Sequence, residues 1–134
     1  MDTLAIRLLP GQDVRRALEA AVAGAGCSAA FVVSGIGSLS TAEVRFAGRE
    51  HAETRRGDLE ILTLAGTIAP GASHLHASLS DAEGTEFGGH LGHGCVVRTT
   101  CEILVALLED WVFTRELDPH TGFAELVARR KLQS

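Results

Sequence analysis

A chain of 134 residues with 46% hydrophobic and 22% charged side chains has the size and composition of one globular domain, which excludes a disordered or low-complexity segment. Twelve Lys+Arg against seventeen Asp+Glu leave a net charge of −5, which excludes a polybasic surface binder. With five Phe, one Trp and no Tyr, the chain also lacks the aromatic platforms on which single-stranded nucleic acid stacks.

In chain order, Leu4, Ile6 and Leu8 alternate with Ala5 and Arg7, predicting a half-buried strand ended by Pro10-Gly11. Val14, Leu18, Ala21, Val22 and Ala25 follow helical spacing, with Asp13 as N-cap and Gly24 and Gly26 as the stop. Ala30–Ile36 is apolar and β-branched, a strand, and Leu39–Phe46 is expected to pair with it across a Gly37-Ser38 turn. Leu59–Ile68 alternates, with Leu59, Ile61 and Thr63 on one face and Glu60, Leu62 and Leu64 on the other. Ser73–Ser80 reads as a strand closed by the turn Asp81–Gly84, with Thr85–His90 returning as its hairpin partner. Gly94–Arg98 and Glu102–Leu108 come next. The second is ambiguous, because Leu104, Leu107, Leu108 and Trp111 also keep helical spacing. A turn at Asp118–Gly122 precedes a short charged finish. Many strands and one early helix predict an α+β fold with a mostly antiparallel sheet, as a single domain over 1–134.

Three cysteines, Cys27, Cys95 and Cys101, form no CxxC, and their odd number leaves at least one unpaired. Cys95 and Cys101 would stand about 20 Å apart on one strand, too far to bridge. A reduced, cytoplasmic setting is the expectation. The first residues do not read as a signal peptide, and the charge-free run from Ala20 to Ala42 reads as a helix end and a buried strand, not as a membrane span. Gly24-Ala25-Gly26-Cys27-Ser28-Ala29 satisfies GxGxx[GA], but dinucleotide binding needs a strand before the glycines and a helix after them. Here that order is reversed.

Four of the six histidines, His74, His76, His90 and His93, fall within twenty residues. His74 and His76 lie two apart on a strand, so both imidazoles leave one face at roughly 6–7 Å. The Asp81–Gly84 turn brings the Gly88-Gly89-His90 segment back beside them. Three neutral imidazoles with an open fourth position are the donor set of an exchangeable or catalytic zinc-class site. The expected ligands are His74, His76 and His90. His93 is a lesser candidate, and His51 and His120 read as surface residues. Glu60 and Glu102 interrupt apolar strands. Each is a candidate hydrogen-bond partner for an imidazole N–H, or a general base beside a metal-bound water.

These blocks carry a resemblance. LEILTLAGTI at 59–68, HLHASLSDAEG at 74–84, GGHLGHGCVV at 89–97, TTCEI at 99–103 and RELDPHTGFAEL at 115–126 resemble the PPC domain, the plant-and-prokaryote conserved domain. G-x-D-V-x-x-A-L at 11–18 and SGIGSL at 34–39 extend the likeness over nearly the whole chain. The resemblance implies an antiparallel sheet flanked by a few helices, a strand over 102–108, a homotrimer, and a metal on His74, His76 and His90. It also implies a regulatory, DNA-associated role. The plant GRFEI-type segment corresponds to Gly57-Asp58-Leu59-Glu60-Ile61, with Asp58 in place of Arg, and the 134 residues hold no AT-hook. The function expected is thus a trimeric, zinc-class metal protein of regulatory type. The alternative is a metal-dependent hydrolase or lyase acting on a small molecule at the metal.

Overall fold

The computed structural model describes residues 2–133. Its elements run β1 (Asp2–Leu8), α1 (Val14–Gly24), β2 (Ala30–Arg45), β3 (Glu53–Ala69), β4 (Ala72–Ser80), β5 (Glu86–Leu91), β6 (Val96–Leu107), β7 (Trp111–Leu117) and β8 (Ala124–Arg130). The α+β expectation holds: a six-stranded antiparallel sheet ordered β1-β6-β2-β3-β4-β5, a β7-β8 hairpin, and one helix among the described residues.

α1 begins where the sequence says. The Asp13 carboxylate accepts from the Arg16 backbone N–H at 3.0 Å and, through its other oxygen, from Gly94 N–H at 2.7 Å. The cap therefore fastens the helix start to the segment before β6. Val14, Leu18 and Val22 face the sheet and are essentially fully buried, each contributing about 1.5–3 kcal/mol. Gly26, with φ +68°, lies just past the helix end.

Several expectations are corrected. Gly37-Ser38 is not a turn: Ala30–Arg45 is one strand, paired with β3 on one side and β6 on the other. The glycine serves a close approach, since a Cβ there would meet the Cys101 Cα at 2.7 Å. In β3 the alternation breaks at a bulge between Ile61 and Thr63, so Leu64 joins Leu59 and Ile61 in the core and Thr63 turns outward. Gly94–Arg98 and Glu102–Leu108 merge into the single strand β6, paired with β1 over Asp2–Leu8. The charged finish is strand β8, whose partner is β7.

The core runs between α1 and the inner sheet face through Leu39, Val44, Leu75, Leu79, Leu91 and Val105. Cys95 and Cys101 are buried there, and burial pushes both thiols up to about 11, so neither is a thiolate near neutrality. A smaller cluster around Ala29, Ala69 and Phe113 seats the β7-β8 hairpin, with the Phe31 and Phe113 rings edge to face at 5.8 Å.

The path of β2 to β5 places the three clustered histidines. β5 pairs with β4 over five positions and then meets the end of β2, through Val44↔Leu91 and Arg45↔His90. This second pairing folds the sheet back on itself. Two glycines permit it: Gly66, at φ +146°, lets β4 pass against β3 at His74 and Leu75, and Gly89 lies against the Arg45 carbonyl.

Candidate metal centre

β4 sends Leu75, Ala77 and Leu79 into the core. By the period of two, His74 and His76 leave the opposite, outer face. The Asp81–Gly84 turn is tight: Asp81 Oδ1 accepts from the backbone N–H groups of Glu83 and Thr85, both at 2.9 Å. That geometry sets the β4-β5 register so that His90 stands directly opposite His76.

The structure thus brings His74, His76 and His90 together on one face. One ring nitrogen from each lies within 4.8 Å of the other two. His74 Nε2 and His76 Nε2 are 3.1 Å apart. The His74 and His90 rings are near parallel with centroids 5.2 Å apart, and His76 stands edge-on to both, at 4.8 and 4.5 Å. Tetrahedral zinc with Zn–N of about 2.0–2.1 Å holds its ligand nitrogens about 3.3 Å apart, so these three imidazoles fit such an ion with small rotamer changes. Desolvation, then the charges of His76, Arg115 and Arg45, holds His74 below its ordinary value, against a smaller opposing pull from Glu125. His90 is lowered by desolvation first and then by Arg45, His76 and His74. Both shifts favour the neutral imidazole that ligates metal.

The other sequence candidates lie elsewhere. Glu60 is exposed and paired with Ser80, well along β3 from Ala65, the partner of His76. Glu102 is exposed on β6 opposite Arg7 and Ile36. Neither belongs to the imidazole cluster. His93 turns from the cluster to Glu19, Nε2 to Oε1 at 2.8 Å.

That contact belongs to a network the sequence reading missed. Glu19 Oε1 also accepts from Arg15 Nε at 3.1 Å and from the Ser73 hydroxyl at 2.8 Å. Arg15 reaches the Leu91 carbonyl at 3.5 Å. Helix α1 is thereby tied to the residue before His74 and to the residue after His90. Burial alone would raise Glu19, but hydrogen bonds from Ser73, His93 and Arg15 leave its carboxyl below the usual range. Arg15 and Glu19 stand i, i+4 on the helix, a spacing visible in the sequence. Their target on β4 was not.

A cleft of about 1000 Å³ opens beside the cluster, with His74 and His90 in one wall and Arg115, Phe123 and Glu125 of the β7-β8 hairpin in another. Arg115 Nη2 donates to Thr67 Oγ1 at 2.8 Å.

Known proteins share this architecture. A protein from Salmonella enterica is 37% identical with a TM-score of 0.94, covering 98% of this chain and 95% of its own. A metal-containing protein from Archaeoglobus fulgidus is 27% identical with a TM-score of 0.79, covering 95% and 94%. A candidate DNA-binding protein from Ralstonia eutropha is 27% identical with a TM-score of 0.76, covering 92% and 89%. The bifunctional protein GlmU of Synechococcus sp. (strain JA-3-3Ab) is 43% identical over 121 residues, 90% of this chain but 20% of that protein. The chain therefore spans about a fifth of the length of the curated relatives it matches. The Plants and Prokaryotes Conserved (PCC) domain matches residues 1–109, and the chain belongs to that family.

Proposed function

We propose that this chain is a metal-binding PCC-domain protein in which His74, His76 and His90 hold one divalent ion of the zinc class. The observation that carries the reading is the convergence of three imidazole nitrogens within 4.8 Å on one sheet face. The metal-containing Archaeoglobus protein supports it from outside the chain. Three neutral nitrogens leave coordination positions free, so the ion would serve as a Lewis acid or as a binding point. In either case the β4-β5 register, which sets His90 opposite His76, orients the imidazoles.

Elemental analysis of untagged protein after zinc loading tests the reading, with one ion per chain expected. A protein that retains no zinc after loading and dialysis overturns it. Acidity gives a sharper form of the test. Metal needs neutral imidazole, and both His74 and His90 lie below their ordinary 6.5, so occupancy should survive down to 6.5 and fall only at lower pH. The same sign applies to the metal-free fold. Where the folded imidazole is depressed, the unfolded chain takes up more protons, so stability is complete above 6.5 and declines as the pH drops below it.

The assembly we propose is a homotrimer in the cytoplasm. Phe31, Val33, Ile36, Leu62 and Leu104 lie 39–56% exposed on β2, β3 and β6, more clustered apolar surface than scattered residues leave. The family resemblance supplies the number three. Light scattering at micromolar concentration should return about three times 14.1 kDa, and a monomer would remove the assembly from the reading.

The role we assign is regulatory. Duplex DNA is the family's suggested partner, and the Ralstonia protein is described in those terms. With a net charge of −5, binding to DNA would have to come from a local patch and weaken steeply with salt.

A further inference from the structure

The cleft beside the imidazoles is basic in an acidic chain. The chain carries −5, yet Arg15, Arg45, Arg49 and Arg115 line the cleft against only Glu50 and Glu125. Arg15 is engaged by Glu19. Arg45 and Arg115 enter no ion pair among the described residues. Arg45 touches the Arg49 carbonyl, and Arg115 touches the Thr67 hydroxyl.

Strand register sets these two guanidinium groups around the imidazoles. Arg45 is directly opposite His90 across β2 and β5. Thr67, which receives Arg115, is directly opposite His74 across β3 and β4. Residues opposed on antiparallel strands send their side chains to one face. One guanidinium therefore stands on the His90 side of the cluster and the other on the His74 side. Two carboxylate-free guanidinium groups beside a triad that takes a dication would repel it unless an anion shares the space.

We propose that this cleft binds a small oxyanion, a carboxylate or a phosphate, held by Arg45 and Arg115, with a further oxygen directed to the metal's remaining position. The last contact rests on the proposed metal site. The two arginines do not. Guanidinium forks match both acid groups, which is why the chemical class covers both. Arg115 comes from the β7-β8 hairpin, so this wall of the cleft is supplied by a part of the chain separate from the strands that carry the imidazoles.

Calorimetric titration of zinc-loaded and metal-free protein with succinate, inorganic phosphate and neutral succinamide tests this. Zinc-loaded wild type should bind succinate or phosphate and ignore succinamide, and the preferred anion identifies the acid group. Arg45→Gln and Arg115→Gln should each weaken that binding about tenfold or more at unchanged zinc content. Thr67→Val, which removes the bond that aims Arg115 without touching the guanidinium, should weaken it by less. Should Arg115→Gln fail to fold, Thr67→Val and Arg45→Gln still decide the matter. Normal zinc with no binding of either anion, or binding indifferent to these substitutions, overturns the inference and leaves the metal reading standing. If the protein takes up no zinc, the metal reading fails, while arginine-dependent anion binding to metal-free protein would still support the cleft.

Discussion

His76→Ala is expected to cost the protein its metal while leaving it folded. His76 is the imidazole that both neighbours face, edge-on to His74 and His90 and directly opposite His90 in the strand register. With it gone, the remaining two imidazoles lose the nitrogen 3.1 Å from His74 Nε2 and cannot enclose an ion. Loss of a direct ligand should exceed the roughly 10–100-fold in affinity that removing an outer hydrogen-bond partner costs. His74→Ala and His90→Ala should behave alike. The folded state should hardly notice, because His76 is an exposed strand residue and such substitutions change stability by about 0.5 kcal/mol or less. His51→Ala and His120→Ala should leave zinc content intact. His93→Ala should have at most a small effect through Glu19, which also holds Ser73 beside His74. Unchanged zinc in all three cluster variants would abolish the site.

Why was the cluster legible and its surroundings not? An HxH pair fixes two imidazoles by local geometry alone, and a short polar turn fixes where the return strand begins. Both signals are contained in residues 74–90, so counting from the turn reaches the observed His76↔His90 pair. Leu59 to Leu64 shows the limit of such counting. The bulge at Ile61–Thr63 shifts the alternation by one, and nothing in LEILTL announces it, because Leu62 and Leu64 are equally apolar. Gly37 misled for a related reason: glycine marks a turn or a close backbone approach with the same letter. Arg45, Arg115 and Glu19 escaped because each acts across pairings of long sequence separation. Arg115 meets Thr67 forty-eight positions away, and Glu19 meets Ser73 fifty-four away. Glu60 and Glu102 stand out in the sequence as charges among apolar neighbours. The structure satisfies them on the outer face instead, where a strand with one solvated side places polar residues.

Gly89→Val should separate metal binding from folding. At Gly89 a Cβ would lie 2.6 Å from the Arg45 carbonyl oxygen and 3.2 Å from a Val44 methyl. These are backbone and buried atoms, so the bulk cannot be absorbed by swinging a flexible side chain away. β5 must instead lift from the end of β2, and His90, the next residue, moves with it. The pairing that breaks is short, only Val44↔Leu91 and Arg45↔His90, whereas β2 is held to β3 along nearly its whole length. The cost to the fold is thus that of local overpacking, about 1–3 kcal/mol, and the melting temperature should fall by roughly ten degrees with the transition still cooperative. Zinc content should fall far more, because the third nitrogen no longer meets the other two. Melting curves and elemental analysis on one preparation make the comparison. A folded Gly89→Val protein with full zinc would show that His90 is not a ligand. An unfolded one would show that the β2-β5 closure stabilises the whole domain, and Gly89 would then be a fold residue before it is a site residue.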